Sequence, residues 1–150
     1  MSYNTQQVEE YTMLLEGCHM GAKTFKIYLD ETYDHELKKL FQEALDAFKH
    51  HEEVLTKKIL KLGTDPSDDI PLMGVISEFF ERMKVMMADT DKTLEYALRA
   101  IDMGIRNVEN FQQKYTDIND EVRTATTDLL NDYKLTYKKL SDYKIKRMPS

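Results

Sequence analysis

The stretch Val8-Glu9-Glu10-Tyr11-Thr12-Met13-Leu14-Leu15-Glu16-Gly17-Cys18-His19-Met20-Gly21-Ala22-Lys23-Thr24-Phe25-Lys26-Ile27-Tyr28-Leu29 decides the fold. Val8, Tyr11, Leu15, Cys18, Ala22, Phe25 and Leu29 recur at alternating spacings of three and four, the period of one buried helical stripe, and Leu14, Gly21 and Tyr28 widen it. The spacing predicts a helix over about 6–30. Gly21, lacking a side chain, lets a neighbouring helix approach closely.

The same period returns further along the chain. A second helix, about 34–62, carries Leu37, Phe41, Ala44, Phe48, His51, Leu55 and Leu62, with Asp34 or Thr32 as its N-cap and Gly63 as its stop. A third, about 91–115, presents Leu94, Leu98, Ile101, Ile105, Val108 and Tyr115, flanked by Ala97, Gly104 and Phe111; a fourth, about 119–146, presents Val122, Leu129, Tyr133, Leu140 and Tyr143. The breaks at Glu31–Asp34 and Thr116–Ile118 are so short that each joins antiparallel neighbours. Between the two hairpins runs a loop-like stretch from Gly63 to Met73, and then Val75, Ile76, Phe79, Phe80, Met83, Met86 and Met87 at helical spacing. They predict a crossover helix over about 72–88, roughly 25 Å long at 1.5 Å per residue, close to the length of the bundle. Residues 1–150 therefore read as one all-α domain, two antiparallel hairpins joined by a long helical crossover.

Composition narrows the function. A formal charge of -6 and a pI near 5.2 argue against nucleic acid, which a basic face must attract. No signal-like run opens the chain and no segment approaches the ~20 apolar residues of a transmembrane span, so the expected location is cytoplasmic. The single cysteine, Cys18, lies on the apolar stripe and reads as a buried, inert thiol. Gly-rich phosphate loops, Cys-x-x-Cys, Gly-x-Ser-x-Gly and His-Glu-x-x-His are all missing from the sequence.

In Leu14-Leu15-Glu16-Gly17, Phe25-Lys26-Ile27-Tyr28-Leu29, Phe48-Lys49-His50-His51-Glu52-Glu53, Lys61-Leu62-Gly63, Leu72-Met73-Gly74 leading into Glu78-Phe79-Phe80, and Ala100-Ile101-Asp102-Met103-Gly104-Ile105, the chain resembles a family. It is the uncharacterised bacterial ferritin-like four-helix-bundle family, a domain of unknown function sometimes labelled rubrerythrin-like. The resemblance covers nearly the whole chain and implies a ferritin-like bundle. These are packing and turn residues more than chemical ones, so it implies little about activity.

A di-iron centre in such a bundle needs a Glu from each of two helices and Glu-x-x-His from each of the other two. Glu16-Gly17-Cys18-His19 has that spelling, but the stripe through Leu15 and Cys18 turns Glu16 outward and leaves His19 at the margin. The second helix offers His50, His51, Glu52 and Glu53 without the spacing, and the third and fourth contain no histidine. Glu16, His19, His50 and His51 are thus the metal candidates, with iron as the cofactor of the alternative reading, and no cofactor is expected. His50 and Glu53 read as a solvated pair. His51 sits on the seam and needs a hydrogen-bond partner, with Tyr11, Glu109, Thr126 and Tyr133 as candidates by level in the bundle.

Two further features are weighed the same way. The tail from Lys134 carries six basic residues against Asp142, which suits the negative end of a helix dipole or, less simply, an anionic surface. The methionines of the crossover fill a core or extend it into a homodimer or other homo-oligomer. The expected function is a non-enzymatic structural or protein-interaction role, the alternative a rubrerythrin-like metal-binding oxidoreductase.

Overall fold

A computed structural model describes residues 3–66 and 89–149. Four helices cover most of them: α1 (Tyr3–Glu31), α2 (His35–Lys61), α3 (Thr90–Lys114) and α4 (Asp120–Arg147). Three of the helix starts have a side-chain cap. Asp34 accepts from Leu37 N at 2.8 Å, Asp89 from Asp91 N at 2.9 Å and Asn119 from Val122 N at 2.9 Å, each satisfying a backbone donor that the first turn leaves open. Helix α2 stops where expected, because Gly63 turns to φ 84° and the cap N–H of Leu62 returns to Ile59 O.

The buried stripes follow the sequence periodicity, with deviations mostly near helix ends and one, Ile105, inside α3. Val8 and Leu29 of the first stripe are half-buried, as are Leu62, Ile105 and Tyr115 of the others; Ile59 takes the last buried place on α2. Leu29 lines an open dent together with His35, Lys38, Lys39 and Gln42. An aromatic column runs through the centre of the first hairpin, where Phe25 lies 5.7 Å from Phe41 and 5.4 Å from Phe48, ring centre to ring centre, and Tyr28 lies 5.2 Å from Phe25. Such tilted and edge-on pairs add about 0.5–1.5 kcal/mol each beyond the area they bury.

Helix α1 packs chiefly on α2 and α3 chiefly on α4, while α1 also meets α3 and α2 also meets α4. Around the bundle the order is therefore α1, α2, α4, α3. Arg147 at the end of α4 bonds both Asp34, the cap of α2, and Asp91, in the first turn of α3. The two N-termini thus share one end, and α2 and α3 run in the same direction. The chain leaving α2 must rejoin α3 at the opposite end of the bundle, roughly 40 Å away for a 27-residue helix. This is a four-helix all-α bundle of the ferritin-like kind; the crossover helix expected over about 72–88 lies outside the described residues.

The basic tail does more than complement a dipole. Lys139 pairs with Glu43 at 3.1 Å, Lys146 with Glu36 at 2.9 Å, and Arg147 with Asp34 at 3.2 Å and Asp91 at 2.9 Å, so α4 is tied to α2 and α3 by charge. Asp34 is the node, since it also accepts from Tyr143 Oη at 2.6 Å. Partial burial alone would raise its pKa, but the bonds from Tyr143 and the Leu37 N–H, with the Arg147 charge, outweigh that and hold it below the usual carboxylate range. A carboxyl depressed in the folded state stabilises fully above its unfolded pKa, about 3.9, and loses that contribution as pH falls through the folded value. Asp34→Ala should lower unfolding free energy by about 2 kcal/mol at pH 7 in urea melts. The gap from wild type should close as pH drops from about 4 toward 2.

Candidate functional site

One level of the bundle brings together three pairs of adjacent residues: Cys18 and His19 on α1, His51 and Glu52 on α2, Asp132 and Tyr133 on α4. In a helix, adjacent residues diverge by about 100°, so Cys18 and Tyr133 turn inward while His19 and Asp132 turn into seams, and His51 and Glu52 enter two different seams. The inward set is apolar in effect. Cys18 is fully buried with its Sγ 3.9 Å from the Tyr133 hydroxyl, and the Tyr133 ring lies 5.2 Å from that of Phe48. Burial pushes the Cys18 thiol up to about 12 and the Tyr133 phenol well above its ordinary value, so both stay protonated at neutral pH.

Two glycines make room for these rings. A Cβ on Gly21 would drive into the Phe48 ring, and one on Gly104 would stand 3.3 Å from the Tyr133 ring. The close approach expected at Gly21 is made by that phenylalanine.

The outward set forms two separate imidazole–carboxylate pairs. His19 Nδ1 lies 2.5 Å from Glu52 Oε2 in the α1–α2 seam, both about one quarter exposed. His51, 7% exposed, places Nε2 2.5 Å from Asp132 Oδ2 in the α2–α4 seam. The partner of His51 is therefore Asp132, and none of Tyr11, Glu109, Thr126 and Tyr133. Asp132 reads as a flanking residue beside the stripe position Tyr133, and only the register between helices brings it across. That register is antiparallel: 36 meets 146, 43 meets 139, and 51 meets 132, one number falling as the other rises.

The remaining candidates stand apart. Glu16 is half-buried on α1 and belongs to neither pair. His50 is exposed, its ring 5.6 Å from that of His51, and Glu53 one turn on bonds Lys57 at 3.0 Å. Lys57, with a smaller contribution from His50, holds the Glu53 carboxyl below its ordinary range.

A di-iron centre at this level would require carboxylates from several helices to converge with two imidazoles between them. The described residues do not fit it: a thiol, a phenol and a phenyl ring fill the centre, and each imidazole is turned into a different seam with one carboxylate. Among the described residues no three histidine, cysteine, aspartate or glutamate side chains are grouped to hold a metal ion.

Packing here can be tested at two glycines of α1. Gly21→Ala should destabilise by about 1–3 kcal/mol through overpacking against Phe48, whereas Gly17→Ala, which meets nothing within 4 Å, should stabilise by roughly 0.5–1 kcal/mol through helix propensity alone. Thermal and urea melts of the two variants read this directly. A cycle of His51→Leu, Asp132→Ala and the double variant should show Asp132→Ala as the costlier single change, by about 1–3 kcal/mol. It strands a buried imidazole, while leucine fills the seam.

Comparison with known proteins adds the following. Residues 6–114 match the model of a domain of unknown function, DUF2383. No curated protein matches the chain. A two-domain protein of Anabaena variabilis containing DJ-1/ThiJ/PfpI-like and ferritin-like domains, solved by crystallography at 1.90 Å, superposes with a TM-score of 0.78 at 22% identity. The match covers 97% of this chain and 38% of that one, so this chain spans well under half of that protein, and at such identity the likeness concerns the fold.

Proposed function

Because this chain belongs to the DUF2383 family of unknown function, its role has to be read from its own residues, and we propose that it is a non-enzymatic ferritin-like bundle acting through protein contacts. The observation that carries this reading is the closed centre. Phe48 and Tyr133 occupy the volume where bundle chemistry would be built, and Cys18 beside them is a protonated thiol with no means of attack. The groups of this layer that solvent reaches, the His19–Glu52 pair and Asp132, are each committed to one partner rather than gathered round a common space.

The surface reading agrees with it. Of the six cations in the tail, Lys138, Lys139, Lys146 and Arg147 are already held by Asp142, Glu43, Glu36, and Asp34 with Asp91. An anionic membrane or polyanion would have to compete with those pairs, which weakens that alternative. Exposed apolar side chains include Leu60, Met103, Leu135, Ile145 and Met148; scattered singly, such residues are ordinary on a protein surface. The working form is a homodimer or other homo-oligomer in the cytoplasm; no helix among the described residues is long and apolar enough to cross a membrane.

Metal analysis of protein purified without chelator, with ferrous iron then added in air, tests the reading. The expected result is iron well below one ion per chain and no oxo-bridged absorbance band. Two irons per chain with that band would establish the rubrerythrin-like oxidoreductase instead. Light scattering on the same sample should return a mass of two or more chains.

A further inference from the structure

The turn joining α1 to α2, and the open dent beside it, carry charges that no described residue answers. Lys38 and Lys39, with His35, rim the dent, and Leu29 gives it an apolar wall. Both lysines are exposed, and neither is ion-paired with a described residue. The charges around them are already held: Asp30 by Lys26 at 2.9 Å, Glu36 by Lys146 at 2.9 Å, and Asp34 by Tyr143 and Arg147. Glu31, the last residue of α1, is exposed and likewise has no described partner. Tyr33, two residues on, is 98% exposed, so its ring leaves the dent of its own chain unfilled.

Residues 29–39 therefore hold both halves of a contact that they do not make within one chain. The turn offers a carboxylate and an aromatic ring; the dent offers two ammonium groups and an apolar wall. A patch containing both halves is complementary to itself, which is the condition for two copies to meet about a two-fold axis.

We propose that this end of the first hairpin is a self-association site, in which the turn of each copy enters the dent of the other. Tyr33 of one copy covers Leu29 of the second, and Glu31 meets Lys38 and Lys39. This rests on the protein-contact reading above and gives it both a partner, a second copy of the chain, and an address. Two features select that occupant. The dent, of about 500 Å³, is open, so a small anion would stay largely in water, whereas ligand pockets enclose most of what they bind. An unrelated acidic partner would answer the lysines but leave Glu31 and Tyr33 unmet, while a second copy answers turn and dent together. Tyrosine suits the role, because its ring buries a large area while its hydroxyl stays wet.

Sedimentation equilibrium of the full chain over a concentration series should show monomer and dimer in exchange. Two short turns make a small contact, so the dissociation constant should fall in the micromolar range. Tyr33→Ser should weaken association at least about tenfold. Glu31→Lys in one variant, and Lys38→Glu with Lys39→Glu in another, should each weaken it by about as much, because like charges then face each other twice. Mixed together, those two variants should pair with each other far beyond the statistical proportion, read by native mass spectrometry. The exchanged charges meet at one contact and the original ones at the other. These positions are exposed and carry no described side-chain bond, so the variants keep the fold. A wild-type chain that stays monomeric, a dimer that Tyr33→Ser leaves unchanged, or a mixture with no excess of the mixed dimer overturns the proposal. A dimer untouched by every variant leaves the protein-contact reading standing, whereas two irons per chain sinks that reading whatever the mass, so the two failures are distinguishable.

Discussion

Two rings, those of Phe48 and Tyr133, meet in the middle of the bundle, and the rest of the arrangement depends on that contact. Each of four helices must bury one apolar stripe, and the stripes converge where α1, α2, α3 and α4 are closest. There Gly21 and Gly104 withdraw so that a phenylalanine from α2 and a tyrosine from α4 can fill the space. Once the centre is closed in this way, polar residues on neighbouring positions have only the seams left to them. Cys18 goes inward and is silenced by burial; His19 and His51 go sideways and each finds one carboxylate.

The ends of the bundle are held differently. At one end Asp34 caps α2 and receives both Tyr143 and Arg147, and Arg147 also reaches Asp91 at the start of α3. Exposed ion pairs alone are worth little, commonly under about 1 kcal/mol. Asp34 matters more because one carboxylate joins the cap of α2 to a phenol and a guanidinium of α4, and Arg147, reaching on to Asp91, adds the start of α3. That registry is what shows α2 and α3 to run the same way.

Most of the architecture was legible in the spacing of apolar residues. The helices, the caps at Asp34 and Gly63, the exposure of His50 and the burial of Cys18 and His51 all follow from phase within one helix. The partner of His51 did not, because Asp132 lies off its own stripe and only the antiparallel register of α4 against α2 carries it across; a reading confined to levels along the core pointed to Tyr11, Glu109, Thr126 and Tyr133. Glu52 was missed as the partner of His19 for the same reason. Such seam contacts have a sequence signal only after one pair fixes the register: with Lys139 set against Glu43, residue 51 falls opposite residues near 131.

The central claim is that aromatic packing, not ligand chemistry, occupies the core of this member of the DUF2383 family. A crystal structure of protein purified without chelator, with anomalous data collected across the iron edge, tests it most directly. The account predicts the Phe48 and Tyr133 rings in contact between Gly21 and Gly104, with no anomalous peak between the helices. An iron peak at that level, ringed by carboxylates from α1 and α4 with the rings displaced, would contradict it.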